Sequence, residues 1–242
     1  MSIAVDLPIL LQRLEAADWN RMATELDRQG WSVLPGILSP ADCGSIASLY
    51  DEGAGFRSQI LMSRHGFGRG EYRYFDYPLP GVVQALREAL YRRLAPVANR
   101  WHAAMGLPAK FPDDHPAYLE ACRLDGQTRP TPLLLRYGAG DYNCLHQDLY
   151  GSEAFPLQAA LLLSRPGSDF DGGELVLTEQ RPRMQSRVMV VPAGLGEMVV
   201  FAVNHRPVTG ARGVYRTVMR HGVSEIRSGQ RHVLGIILHD AA

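Results

Sequence analysis

The chain has 242 residues, 46% of them apolar and 21% charged, which suits a globular protein of one large domain. Basic and acidic residues balance at 25 each, so no overall field draws the chain to nucleic acid or to a membrane surface. The three cysteines, Cys43, Cys122 and Cys144, are odd in number and far apart, which excludes a disulfide framework and a cysteine-based zinc site and points to a reducing cytoplasm. No apolar run approaches the roughly 18 residues of a membrane span.

In chain order, residues 8 to 29 read as a helix. Leu10, Leu11, Leu14, Trp19, Met22 and Leu26 recur at three- to five-residue steps, and Gly30 ends the pattern. Trp31 to Leu34 reads as a short strand, and Ser39-Pro40 caps a second helix. Between 55 and 76, Phe56, Phe67, Tyr72, Tyr74 and Phe75 interleave with arginines and glycines. A glycine-hinged loop of this composition either covers a surface or serves as a lid, with Arg64, Arg69 and Tyr72 as candidate substrate contacts. Residues 80 to 106 form the clearest helix, with Val83, Leu86, Leu90, Leu94, Val97 and Trp101 on one stripe, and a shorter helix spans His115 to Leu124.

From residue 131 the pattern changes to short apolar strands between turns. Strands are expected at 132–136, 155–164, 174–178, 187–191, 197–203, 215–221 and 231–238. The predicted fold class is α+β with a mainly β core. It is a double-stranded β-helix, or jelly roll, with N-terminal helices packed on its outside. One domain is expected over 1–242, its helical part over 1–128 and its core over 129–242.

The chemistry centres on His146-Gln147-Asp148. In extended backbone, residues two apart point the same way, so an imidazole and a carboxylate share one face and can hold one metal ion. A third ligand must come from elsewhere. His221 supplies it, at the end of a strand, and His205 is the competitor. Two histidines and one carboxylate form the facial triad of non-haem Fe(II) oxygenases. Arg231 lies ten residues past His221 and opens the apolar run 232–238; no arginine stands ten past His205. Gln158 is placed on an inner strand face, where it touches co-substrate or substrate. Cys144 shares the strand parity of His146, which leaves it either near the metal or as a small buried residue.

His146-x-Asp148, the distal His221 and Arg231 together resemble the Fe(II)/2-oxoglutarate dioxygenase superfamily over residues 31 to 239. The segments Phe170-Asp-Gly-Gly-Glu-Leu175 and Gly196-Glu-Met-Val-Val-Phe201 are similar to landmarks of that superfamily. The likeness is strongest to a bacterial branch near the prolyl-hydroxylase-like group, described as oxygenases of damaged nucleic acid. It implies Fe(II), 2-oxoglutarate and O2 as cofactors, with His146, Asp148 and His221 as metal ligands. It also implies Arg231 on the far carboxylate of 2-oxoglutarate and Tyr137, nine residues before His146, in a hydrogen bond with the co-substrate. The chain departs from the demethylases of alkylated bases, which carry a second arginine after the first; none follows Arg231. The substrate therefore stays open among nucleic acid, protein and small molecule, as does the oligomeric state. A non-catalytic jelly-roll binding module is the rival of another class.

Overall fold

A computed structural model describes residues 5–211 and 213–242. The chain opens with α1 (Leu7–Ala16), α2 (Trp19–Gln29), β1 (Trp31–Leu34) and α3 (Pro40–Glu52). Then come β2 (Phe56–Leu61), β3 (Gly68–Arg69), β4 (Glu71–Phe75), α4 (Gly81–Ala104) and α5 (His115–Leu124). The rest is strand and turn. It comprises β5 (Leu133–Tyr137), β6 (Tyr142–His146), β7 (Leu157–Leu162), β8 (Phe170–Gly172), β9 (Leu175–Gln180) and β10 (Arg187–Val191). The chain ends with β11 (Met198–Ala202), β12 (His205–Gly210), β13 (Gly213–Val223), β14 (Ile226–Gly229) and β15 (Arg231–Ile236).

The larger sheet runs β1-β11-β7-β15-β5-β4-β2, and the smaller runs β10-β9-β13-β6-β3 with β12 beside β13. All ladders between these strands are antiparallel. The architecture is thus mixed α and β, dominated by antiparallel sheet. Among the described residues no helix is long and apolar enough to cross a membrane.

The central strands β11, β7 and β15 of the larger sheet are largely buried on both faces, which is why they read as continuous apolar runs. On β15, Leu234 and Ile236 pack into the core shared with α4 residues Leu86, Leu90 and Trp101. Arg231, Val233 and Gly235, of the opposite parity, line a cavity on the inner face. β5 divides the same way: Leu134 joins the helical core, while Leu133, Leu135 and Tyr137 face the cavity.

The helices after residue 30 form where expected. Ser39 and Asp42 make a reciprocal capping box at the start of α3, and α5 spans the predicted residues. The expected single helix over 8–29 is instead two. Asp18 breaks it by accepting the backbone N–H of Arg21 at 2.9 Å, a new N-cap, and Trp19 Nε1 donates to Leu14 O across the break at 2.7 Å. The expected loop over 55–76 is mostly strand. β2 and β4 form a hairpin that extends the larger sheet beyond β5, and Tyr72 and Tyr74 stand opposite Leu135 and Leu133. The part before residue 128 is therefore not purely helical.

Candidate metal centre

β6 and β13 pair in the smaller sheet with His146 directly opposite His221. The two rings lie 4.2 Å apart between centroids. The register shifts just after His221. Gly222 permits this, because a Cβ there would lie 2.6 Å from Asn143 O. Beyond His146 the chain leaves the sheet. Gln147 fastens it by donating to Asn204 Oδ1 at 2.8 Å and Met219 O at 2.7 Å. Asp148 then turns back toward both rings. Its Oδ1 lies 3.5 Å from His146 Nε2 and its Oδ2 lies 3.2 Å from His221 Nε2. One ligand atom from each of the three lies within 4.8 Å of the others.

His205 takes no part. It opens β12 opposite Val218, is exposed, and its Nδ1 lies 3.4 Å from Thr217 O. Cys144 is exposed, against the reading of a small buried residue, and its thiol is not in the His146, Asp148 and His221 cluster. Its backbone matters instead. Nδ1 of His146 lies 2.7 Å from Cys144 O, and a carbonyl only accepts, so Nδ1 carries the proton and Nε2 is left free to ligate.

Asp148 is 8% exposed. Burial opposes its charge, but hydrogen bonds with His146 and His221 outweigh burial and hold its carboxyl well below the usual range. Burial, aided by His146, pushes the pKa of His221 down despite Asp148. Burial likewise works against charge on the more open His146, where the hydrogen bond to Asp148 prevails and raises the pKa. Two further groups hold the carboxylate. Tyr150 donates to Oδ1 at 2.7 Å, and Gln158 Nε2 donates to Oδ2 at 2.9 Å. Tyr74 in turn donates to the Tyr150 hydroxyl at 3.1 Å.

The other end of the cavity holds Arg231, opposite Tyr137 in the β15–β5 ladder. Its guanidinium sits 5.6 Å from the Tyr137 ring and 5.8 Å from the Phe170 ring. It is 6% exposed, and burial pushes its pKa down to about 10. Among the described residues, Nε has no hydrogen-bond partner and no carboxylate pairs with Arg231 within 4.0 Å. A buried cation in this state is costly and calls for an anion. Gly173 gives it room: its φ of +62° is left-handed, and a Cβ would lie 2.1 Å from Ile226 and 3.1 Å from Arg231. Tyr137 is fully buried and accepts from Asn143 Nδ2 at 3.3 Å.

Between these ends lies a cavity of about 220 Å³. Phe67 and Tyr72 from the 55–76 segment line it, so that segment borders the site. Arg64 and Arg69 are exposed and not part of the lining. Tyr150 and Asn143 also line the site and were missed from the sequence. Tyr150 continues the period-two series of His146 and Asp148, a signal that was there to read.

Antiparallel sheets around one cavity, with a His-Asp-His cluster at one end and a buried arginine at the other, define an oxygenase of the oxidoreductase class. The chain belongs to the oxygenase family described as catalysing oxidative methylation of damaged DNA, whose pattern matches residues 70–241. Two Mycobacterium tuberculosis sequences, each named only as an uncharacterized protein, are 48% identical over 168 residues, 69% of this chain and 72% of theirs. The fold is similar to a Pseudomonas putida prolyl-4-hydroxylase at TM-score 0.52 and 15% identity, covering 90% of this chain and 96% of that one. It is also similar to a Burkholderia pseudomallei oxidoreductase of the 2OG-Fe(II) oxygenase family, at TM-score 0.51 and 15% identity, covering 93% and 92%.

Proposed function

We propose that the protein is an Fe(II)- and 2-oxoglutarate-dependent dioxygenase built on a double-stranded β-helix, with His146, Asp148 and His221 holding the metal. The convergence of the three ligand atoms within 4.8 Å, at one end of a cavity whose other end is an unpaired buried Arg231, carries this reading. The donor set fits the group. One carboxylate is held ionised, the buried imidazole of His221 is pushed toward neutrality, and the cluster offers nitrogen and oxygen without thiolate. When bound, Fe(II) with O2 and 2-oxoglutarate supplies the oxidising power to oxygenate a C–H bond, yielding succinate and CO2.

The chain's own residues do the rest. Arg231 would hold the far carboxylate of the co-substrate, with the Tyr137 ring beside its guanidinium. Tyr150 and Gln158 fix the Asp148 carboxylate, so the metal meets one orientation of it. Val233, Leu135 and Phe201 keep water away from the centre. Damaged nucleic acid is the primary substrate favoured by the family's description, with hydroxylation or oxidative demethylation as the reaction. Protein hydroxylation is the second reading, supported by the prolyl hydroxylase fold relatives, one of them from Trichoplax adhaerens in complex with a peptide at TM-score 0.52 and 14% identity.

The test is anaerobic loading with Fe(II), addition of 2-oxoglutarate and O2, and measurement of succinate. Succinate should form slowly without substrate, and faster with the true one among alkylated oligonucleotides and peptides. Absence of succinate under all these conditions would reject the enzyme reading and leave a binding module.

A further inference from the structure

Gln158 sits on the inner face of β7, opposite Phe201 of β11, and is 6% exposed. Chemistry fixes the orientation of its amide. An ionised Asp148 only accepts, so the nitrogen must face it, at 2.9 Å. The same nitrogen lies 3.2 Å from His221 Nε2. Oε1 is thereby turned from the carboxylate. It is buried and has no partner among the described residues. A buried amide oxygen left unpaired is costly, and such groups normally find a donor.

Three cavity-lining side chains carry buried atoms without partners: Gln158 Oε1, His221 Nδ1 and Arg231 Nε. The anionic end of the co-substrate answers Arg231. It cannot answer Gln158, because 2-oxoglutarate at neutral pH offers only acceptors. The donor must arrive on another molecule. The surrounding walls restrict it further. The charged or titrating His, Asp and Arg groups of the lining are the metal cluster and Arg231, all already engaged. Around them stand Leu133, Ile237, Tyr72, Tyr150 and Phe67, which are apolar or aromatic. A phosphate, carboxylate or ammonium buried here would lack a counter-charge.

We propose that Gln158 is a specificity-determining residue: its Oε1 accepts a hydrogen bond from an uncharged, planar N–H group of the primary substrate, next to the carbon that is oxidised. This rests on the metal and co-substrate assignment above. Charged parts of the substrate stay outside the cavity. Removal of such a donor should discriminate strongly, since a substrate lacking it leaves Oε1 buried and unpaired.

The test uses Co(II)-loaded protein with 2-oxoglutarate, and indole against benzofuran, which has the same shape with oxygen in place of N–H. Binding is read by calorimetry and by the visible cobalt spectrum. Indole should bind wild-type protein at least about tenfold more tightly, about 1.4 kcal/mol. Gln158→Met, which keeps the side-chain length, should erase the difference. Equal binding by the wild type would assign the donor to a metal-bound water and overturn the proposal. So would a preference that survives in Gln158→Met, or failure of both compounds to bind. A missing cobalt spectrum, or one unaltered by His221→Ala, would instead overturn the metal assignment; calorimetry would still report the indole preference separately.

Discussion

Arg206 and Glu179 form an ion pair in which both side chains are 1% exposed. The pair crosses the smaller sheet from β12 to β9, and Arg206 also donates to Asp27 O on α2 at 3.0 Å. Arg181 contacts the same carboxylate from the surface at 3.1 Å. Removing one partner leaves a buried charge uncompensated, at a cost of about 3–5 kcal/mol. Glu179→Ala should lower the stability measured by urea unfolding by that order. The double replacement Glu179→Met with Arg206→Leu should recover much of the loss. A single-mutant cost below about 1 kcal/mol would show that the pair does not hold the sheet to α2.

His146 and His221 differ in exposure but should be equally needed for metal. His221→Ala should reduce metal affinity by at least about 100-fold, near 2.7 kcal/mol. His205→Ala should change it little, because that side chain lies outside the cluster. Equilibrium titration with Co(II) distinguishes them. Loss of metal in the His205 variant with retention in the His221 variant would reverse the ligand assignment.

Arg231 should act on the co-substrate alone. Arg231→Leu removes a cation buried beside Tyr137 and Phe170. The 2-oxoglutarate concentration needed for half-maximal succinate formation should rise by two orders of magnitude or more, in line with about 3–5 kcal/mol for a buried charge partner. Metal affinity should stay within a few-fold of wild type. An unchanged co-substrate requirement would remove Arg231 from the site.

Stability should fall in acid for a reason separate from the metal. His115 and His239 are buried near Arg87, whose guanidinium donates to His239 O and to Asp240. Burial and the Arg87 charge push their pKa values down to about 3 and about 4, from 6.5. The unfolded chain therefore binds protons first. The stabilisation is fully present above about pH 6.5 and is lost as pH falls toward 4 and then 3. Metal-free protein should show a falling Tm across that window, and His115→Gln should flatten the slope. An equal slope in that variant would locate the acid sensitivity elsewhere.

Much of this was legible because it depends on local rules. Strand parity paired His146 with Asp148 in the sequence, although β6 ends at His146 and a turn, not the pleat, brings the carboxylate back to the rings; Ser39-Pro40 announced α3 through capping chemistry. The distal ligand needed a register: His221 meets His146 only because β13 pairs with β6, a contact between residues 75 positions apart. The 55–76 segment was misjudged by attending to composition. The alternation of Tyr72 and Tyr74 was a strand signal, hidden by glycines that in fact shape its turn. The short strand β12 carries no apolar alternation and exists because a longer neighbour, β13, offers it an edge. The orphan oxygen of Gln158 became visible only when the Asp148 carboxylate had a position.

One backbone bond links the border of the cavity to the strand of the candidate metal centre. Cys144 N donates to Phe67 O at 2.9 Å, and β3 pairs with β6 at Gly68 and Arg69. The segment that borders the cavity is therefore stitched to the strand that ends in His146. An incoming molecule that pushes Phe67 aside pulls on that strand. The border of the cavity and His146 are thus joined through the backbone itself.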